Sequence, residues 1–233
     1  MTATCWPRVL TLLIVLGFAP ARDAPGEGAE GPAGPKSPAK PSADSQSLFD
    51  GKTLANWEVV DKFDFARHGK VDVRDGAIVQ ERGEPFTGIR WTGPFPKTDY
   101  EVTLEAKRVR GADFFCGMTF PVGEAALTLV VGGWGGSIVG LSSIDGEPAV
   151  ENETCNHRDF ALDRWYAIRL RVTGDAVRVW IDREKVIDLA TAGRELTIYW
   201  EMEPTRPFGI ATWYTTGAVR AIRVRRLRDS GNP

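Results

Sequence analysis

The residues best suited to chemistry lie between positions 151 and 159, where the chain reads ENETCNHRD. This stretch holds His157, one of two histidines in the 233-residue chain. An imidazole that titrates near neutral pH can act as a general base or bind a metal ion, and Glu153 or Asp159 could orient it. Loops at the ends of β-sandwiches commonly carry such sites. A solvated surface loop would explain the same residues, so the sequence leaves both interpretations open.

A second pair of acidic residues, Glu201 and Glu203, precedes an apolar run at 208–214. Residues two apart on a strand point to the same side of the sheet, so these carboxylates are spaced as a general acid and a general base would be. A solvent-facing strand has the same spacing. We therefore expect Glu201 and Glu203 to contact substrate, and we assign them no catalytic step.

Tryptophan and tyrosine side chains form a third set, because an exposed indole can stack on the apolar face of a sugar ring. The aromatic residues in or beside predicted strands are Trp134, Trp180, Trp200, Trp213 and Tyr214. We expect most of them to pack in a core. Trp134 lies in the glycine-rich loop 132–136 and is the best candidate for exposure, and we predict that Trp134 and Trp213 bind substrate.

Short strands would position all of these residues. Between positions 165 and 182, apolar and polar residues alternate on both sides of a Gly174-Asp175 turn, which is the pattern of an antiparallel hairpin with one buried face. Further strands are predicted at 71–73, 78–79, 100–107, 114–120, 127–131, 138–144, 208–214 and 219–227. Only residues 188–195 suggest a short helix. Turn signals roughly every 8–12 residues predict an all-β fold, a two-sheet antiparallel sandwich.

The first 46 residues are predicted to lie outside the folded domain. An apolar run at 9–18 follows Arg8 and ends at Ala19-Pro20-Ala21, which indicates a cleaved export signal over 1–21. A membrane span needs about 20 apolar residues, although an uncleaved anchor is the alternative. Residues 22–46, rich in Pro, Gly and Ala, predict a disordered linker. We expect a secreted or periplasmic protein, with its domain at 47–229 and no membrane span after signal cleavage.

The net charge and the cysteine content bear on nucleic-acid binding and on disulfide formation. The formal net charge of −2 gives no electrostatic basis for nucleic-acid binding, and the arginines near the end of the chain are interpreted as the solvent face of a last strand. Cys5 would leave with the signal, so a disulfide between Cys116 and Cys155 is a tentative prediction. No D-x-D-x-D-G calcium loop is found, and no metal site is predicted. The sequence identifies no cofactor and leaves the oligomeric state open.

The opening LFDGKTLANW at 48–57 resembles the LFNGKDLSGW start of the 3-keto-disaccharide hydrolase domain family, which is frequent in secreted bacterial proteins. Later features follow the family order: a hairpin at 73–79, the TDYEVTLE strand at 98–105, a strand at Trp165 and a closing VRAIRVRRL. The resemblance implies a concanavalin A-like jelly roll with a sugar-sized groove on its concave sheet. By this resemblance, Arg220 corresponds to the Arg that members of the family carry just before their last strand.

Two segments depart from the family pattern. Where members usually have Asn-Ser-Gly followed by Arg, this chain has Phe115-Cys116-Gly117 and then Thr119. On the next strand, where many members carry Glu, it reads AALT at 125–128. No site residue is carried over at these positions.

The resemblance implies an exported hydrolase that cleaves glycosidic bonds of 3-keto-glycosides. A keto group at C3 acidifies the hydrogen on C2, so a modest base can form an enolate that expels the C1 substituent before water adds. In this hypothesis His157 is the base, Glu153 its orienting partner or an alternative base, Arg220 the cationic donor to the enolate oxygen and Trp134 the sugar platform. The alternative is a non-catalytic carbohydrate-binding or cell-surface module on the same fold.

Overall fold

The computed structural model describes residues 45–227. Strands form where apolar and polar residues alternate, or where apolar residues run without a break, between turn residues. The strands are β1 (Ser45–Ser47), β2 (Trp57–Val59), β3 (Val71–Arg74), β4 (Ala77–Gln80), β5 (Phe86–Trp91), β6 (Tyr100–Arg110), β7 (Cys116–Val122), β8 (Ala125–Gly133), β9 (Ile138–Ser142), β10 (Asn156–His157), β11 (Tyr166–Val172), β12 (Ala176–Ile181), β13 (Glu184–Ala190), β14 (Gly209–Trp213) and β15 (Thr216–Arg226). The first 3₁₀ helix is Phe63–Phe65 and the second is Trp200–Thr205.

The strands pair antiparallel in two sheets. Sheet A has the order β13-β12-β11-β6-β15-β4-β3, and β1 also pairs with the long β15. Sheet B has the order β10-β9-β8-β7-β14-β5-β2. This arrangement confirms the predicted all-β sandwich of two antiparallel sheets. The predicted hairpin at 165–182 is formed by β11 and β12, which pair from Ile168 with Ile181 to Val172 with Val177.

The core lies between the inward faces of the two sheets. On β11, Tyr166, Ile168, Leu170 and Val172 all point inward and are buried, while the intervening residues are half-buried on the outside. β7 and β8 are buried on both faces, as their nearly unbroken apolar runs predict. Sheet B must therefore be covered on its outward face as well.

Small residues on the outward face of sheet B allow that cover to approach closely. A Cβ atom at Gly88 would lie 2.4 Å from the Phe65 ring, and one at Gly117 would lie 2.8 Å from the Phe114 ring. Thr205 is fully buried here and its hydroxyl donates to Thr119 Oγ1 at 2.7 Å. Both 3₁₀ helices therefore pack directly on sheet B.

Two boundary predictions need correction. The prediction of a short helix at 188–195 is wrong. Strand β13 (Glu184–Ala190) pairs with β12 and places Asp188 opposite Arg178. The folded region begins no later than Ser45, because Ser45 pairs with Arg225 and accepts hydrogen bonds from Arg223. The predicted signal at 1–21 and most of the predicted linker lie outside the described residues. Within 45–227, no helix has the length and apolar character needed to cross a bilayer.

The predicted disulfide between Cys116 and Cys155 is wrong. Cys116 is a buried free cysteine, and burial raises the pKa of its thiol to about 12. Cys116 pairs with Val131, Val131 with Val139, and Val139 with Asn156, so three strand spacings separate Cys116 from the neighbour of Cys155. That separation is about 14 Å, whereas bridged Cα atoms lie within about 7 Å.

Candidate functional site

An aromatic cluster covers one end of the outward face of sheet B. It consists of Phe65, Phe86, Phe114, Trp213 and Tyr214. Ring centroids lie 4.7 Å apart for Phe65 and Phe86, 4.5 Å for Phe86 and Trp213, and 5.4 Å for Trp213 and Tyr214. Phe65 and Phe86 are buried, Phe114 and Trp213 are half-buried, and Tyr214 is exposed. The cluster therefore presents aromatic surface to solvent on a packed base.

The second 3₁₀ helix places Glu201 beside this cluster. The next residue, Met202, is buried in the same apolar group as Phe65 and Phe86, which anchors the helix. The Oε2 atom of Glu201 is buried without a hydrogen-bond partner. Burial raises the pKa of the Glu201 carboxyl, and the negative charge of Asp64 adds to the shift. An unpartnered buried polar group costs about 1–3 kcal/mol, and groups of this kind concentrate at functional sites.

Glu203 does not share this environment, although the sequence predicted that the two carboxylates point the same way on a strand. The segment is a 3₁₀ helix with about three residues per turn, so positions two apart diverge. Glu203 is exposed, pairs with Arg206 at 3.3 Å, and lines an open pocket of about 480 Å³. Pro204 and Pro207 are the sequence signal against a strand, because proline cannot donate to a β-ladder.

Exposed aromatic residues occupy the same two helical segments. Trp200 is 64% exposed, Tyr199 is 47% exposed, and Phe63 on the first 3₁₀ helix is 76% exposed. The expectation that most of the five aromatic residues in or beside strands are buried is wrong. Trp134, Trp200 and Tyr214 are exposed, and Trp180 and Trp213 are half-buried. Large apolar surface next to a desolvated carboxyl is typical of sites that bind sugar rings.

Trp134 is exposed, as predicted, but its loop is not a flexible one. Nη2 of Arg108 donates to two carbonyl oxygens of the loop at 3.2 and 2.7 Å. Arg108 is buried, and that burial lowers the pKa of its guanidinium. A Cβ atom at Gly133 would lie 4.0 Å from the Phe114 Cβ, so the loop adjoins the aromatic cluster. Trp134 is therefore presented at the rim of the cluster by a fixed turn.

His157 and Glu153 lie at the opposite edge of sheet B. His157 is exposed on the edge strand β10, which is four strand spacings, about 19 Å, from β14 and Trp213. Glu153 is exposed and forms an ion pair with Arg194, which also pairs with Asp145 at 3.2 Å. The structure thus separates His157 from the part of the aromatic cluster that lies on β5 and β14.

Arg220 lies on the outward face of sheet A. Its Nε donates to the Glu105 carboxylate at 2.6 Å, and its guanidinium carbon lies 4.1 Å from the Trp165 ring centroid. His157 belongs to sheet B, so the core separates it from Arg220. The predicted grouping is therefore wrong for Arg220. Register places His157 opposite Ile138 and Ile138 opposite Gly133, so His157 lies two strand spacings, about 10 Å, from the residue that precedes Trp134. Among residues 45–227, no group of three or more His, Cys, Asp or Glu side chains is arranged to hold a metal ion.

The comparisons with known proteins agree with this architecture. Residues 44–225 match the model of the 3-keto-α-glucoside-1,2-lyase-like domain family. No curated protein matches the sequence.

Several solved structures share the fold at low sequence identity. The carbohydrate-binding module CBM66 from Bacillus subtilis is 11% identical with a TM-score of 0.51, covering 77% of this chain and 99% of the module. Domain 4 of the arabinanase AbnA from Geobacillus stearothermophilus, solved with arabinotriose, is 16% identical with a TM-score of 0.53, covering 78% and 91%. The endo-β-1,3(4)-glucanase SCLam of family GH16 is 9% identical with a TM-score of 0.52, covering 82% and 95%. The predicted jelly roll is confirmed.

Proposed function

The chain belongs to the 3-keto-α-glucoside-1,2-lyase-like family, and we propose that it cleaves the glycosidic bond of a 3-keto-glycoside with Glu201 as the base. One observation carries this assignment: Glu201 combines a buried, unpartnered carboxyl oxygen with a raised pKa beside an exposed aromatic surface. A raised pKa makes the carboxylate a stronger base than an ordinary glutamate, because the strength of a general base follows its pKa.

The reaction needs a base to remove the C2 hydrogen and no nucleophile from the protein. The Glu201 carboxylate takes the hydrogen from C2, and the electron pair of that C–H bond forms the C2–C3 double bond of an enolate on the C3 oxygen. The enolate electrons then return to form a double bond between C1 and C2, and the C1–O bond breaks. The departing oxygen takes up a proton, and water adds across the double bond to give the free 3-keto sugar.

The aromatic cluster supplies the platform for the sugar ring in this proposal. Trp213 is half-buried and Tyr214 exposed, and Trp134 lies at the rim of the same cluster. Trp200 precedes the base directly and is exposed. Aromatic stacking fixes the ring plane, and Glu203 lines the neighbouring pocket, where it can accept hydrogen bonds from sugar hydroxyls.

Glu201 is preferred to His157 because of its surroundings. His157 is exposed on an edge strand about 19 Å from Trp213. Glu153 is held in an ion pair with Arg194, whereas the Glu201 Oε2 atom has no such partner. A carboxylate held by a guanidinium is stabilised in its charged form and is a weaker base.

Turnover of a 3-keto-glucoside by site variants tests the assignment. Glu201→Gln removes the base with little change in volume, and we expect turnover to fall at least about 100-fold. Glu124→Gln, at an exposed carboxylate between β7 and β8, and His157→Ala are the controls, and each should retain turnover within a few-fold of the parent. If His157→Ala loses activity while Glu201→Gln keeps it, the base lies in the loop 151–159 and our assignment is wrong.

A non-catalytic carbohydrate-binding module is the second candidate, and the exposed Trp200 and Tyr199 are the observation that favours it. Exposed aromatic rings bind glycans without any base. In that case the parent protein would bind a 3-keto-glycoside or a glycan saturably and release no product. Trp200→Ala would then weaken binding, and Glu201→Gln would leave it unchanged.

A further inference from the structure

The outward face of sheet A carries a charged row across four neighbouring strands. Register places Arg178 of β12 opposite Arg171 of β11, Arg171 opposite Glu101 of β6, and Glu101 opposite Arg225 of β15. Glu101 is buried at the centre of the row. One of its oxygens accepts from Arg171 at 2.9 and 3.1 Å, and the other accepts from Arg225 at 2.8 and 2.9 Å.

A second row lies two residues further along each strand. Its arginines are not paired with a carboxylate among residues 45–227. Register places Trp180 opposite Arg169, Arg169 opposite Thr103, and Thr103 opposite Arg223. The Arg169 guanidinium lies over the Trp180 ring, 3.9 Å from its centroid. Arg223 donates to the hydroxyl and the carbonyl of Ser45, each at 3.0 Å. Of the ion pairs within 45–227, none joins Arg169 or Arg223 to a carboxylate.

The two rows and the adjacent Arg220–Glu105 pair form what we call the arginine face. Its arginines are Arg169, Arg171, Arg178, Arg220, Arg223 and Arg225, and the carboxylates paired with them are Glu101, Glu105 and Asp188. Arginines outnumber carboxylates here two to one, although the whole chain has a formal net charge of −2. The arginine face is therefore a cationic part of the outward face of sheet A.

We propose that the arginine face binds an anionic polysaccharide, through carboxylates of successive uronic acids. Guanidinium groups bind carboxylates bidentately, and Arg169 and Arg223 present their charges two strands, about 10 Å, apart on the same face of the sheet. An extended polymer with repeated carboxylates matches such an array. The site is separate from Glu201, because it lies on the other sheet.

The arrangement of the aromatic residues favours a polysaccharide over a nucleic acid. Single-stranded nucleic acids bind by stacking successive bases on exposed aromatic rings. On the arginine face, Trp180 is covered by Arg169 and Trp165 by Arg220, at 3.9 and 4.1 Å. These rings cannot stack bases while the guanidiniums cover them. Double-stranded DNA is read by an element that enters a groove, whereas the arginine face consists of paired strands within a sheet.

Affinity electrophoresis of the full chain in gels that contain polygalacturonate tests the proposal. The parent protein should be retarded by polygalacturonate at low salt and not by neutral dextran, and added salt should weaken the retardation because it screens exposed charges. The double variant Arg169→Ala/Arg223→Ala should bind at least about tenfold more weakly. The charge-matched control Arg67→Ala/Lys97→Ala removes two exposed cations that lie off this face, and it should bind like the parent.

Three results would overturn the proposal: no retardation of the parent, equal losses in the two double variants, or tighter binding to DNA than to polygalacturonate. Arg223→Gln provides a second route if the double variant is unstable, because Arg223 contacts only the Ser45 region in the described hydrogen bonds. It should weaken polygalacturonate binding while its melting temperature stays near that of the parent. Unchanged polygalacturonate binding by a folded Arg223→Gln protein would also contradict the proposal.

Discussion

The outward faces of the two sheets differ in their exposure to solvent. The outward face of sheet A is open to solvent and carries charged side chains. Glu101 and the two arginines paired with it lie at the centre of these charges. Sheet B places glycine, alanine and threonine outward, and loops and 3₁₀ helices then pack onto it. The buried Glu101 carboxylate of sheet A is paired with two arginines, whereas the covered face of sheet B holds a buried carboxyl oxygen without a hydrogen-bond partner, that of Glu201. The comparison shows that the candidate active site depends on the cover of sheet B rather than on the strands.

Removing the packing of the cover should have the largest effect. Phe65 is fully buried and stacks on Phe86 with ring centroids 4.7 Å apart. Phe65→Ala should lower the free energy of unfolding by about 3–5 kcal/mol, as for other large-to-small core substitutions. Urea denaturation measures this. Phe63→Ala, on the same 3₁₀ helix but 76% exposed, should change it by less than about 0.5 kcal/mol. Equal effects would mean that the cover does not pack as described.

Breaking the charge pairs of sheet A should have a smaller effect. Glu101→Gln removes the charge that Arg171 and Arg225 share, and both arginines are only about a third exposed. We expect a loss of about 1–3 kcal/mol, since the hydrogen bonds to a buried charged group are weakened. Glu203→Gln, which breaks the exposed pair with Arg206, should cost less than about 1 kcal/mol. A Glu101→Gln protein as stable as the parent would show that the row contributes nothing to stability.

The smallest effect concerns the pH dependence of stability at Glu201. The native pKa of this carboxyl lies above its ordinary value of 4.5 because of burial. The native state therefore retains a proton that the unfolded state has already lost, and the stability of the parent falls as the pH rises from the unfolded pKa through the native one. The Glu201→Gln protein does not lose stability in this way, because the glutamine side chain does not titrate. Its melting temperature should exceed that of the parent near pH 7.5, and the difference should vanish near pH 3.5.

A constant difference across this pH range would contradict the raised pKa. His157→Ala is the control for the same measurement, since His157 is exposed on an edge strand. Its melting temperature should follow that of the parent from pH 3.5 to 5.5.

Alternation and turn chemistry were sufficient to predict a two-sheet antiparallel sandwich, and the family resemblance implied the jelly roll. The hairpin at 165–182 and the doubly buried β7 and β8 follow directly from local patterns of apolar residues. The pairing of distant strands does not, and this is why the Cys116–Cys155 disulfide was wrong. Nothing in the local sequence shows that two strands lie between β7 and β10.

The candidate site was predicted only in part. Glu201, Trp134 and Trp213 were selected from the sequence, but the position of Glu201 beside the aromatic cluster depends on the 3₁₀ helix Trp200–Thr205, where a strand was expected. Arg220 was selected by resemblance, and its position in the sequence could not show that β15 belongs to the other sheet. The buried Oε2 atom of Glu201 depends on tertiary packing, which no local pattern encodes.

Exchange of the C2 hydrogen of a 3-keto-glucoside with deuterated solvent tests the central claim most directly, because this exchange reports the action of the base apart from departure of the C1 substituent. The parent protein should incorporate deuterium at C2, as measured by NMR. Glu201→Gln should reduce the exchange rate at least about 100-fold, and Glu124→Gln should leave it nearly unchanged. Exchange at the parent rate in Glu201→Gln would show that Glu201 is not the base.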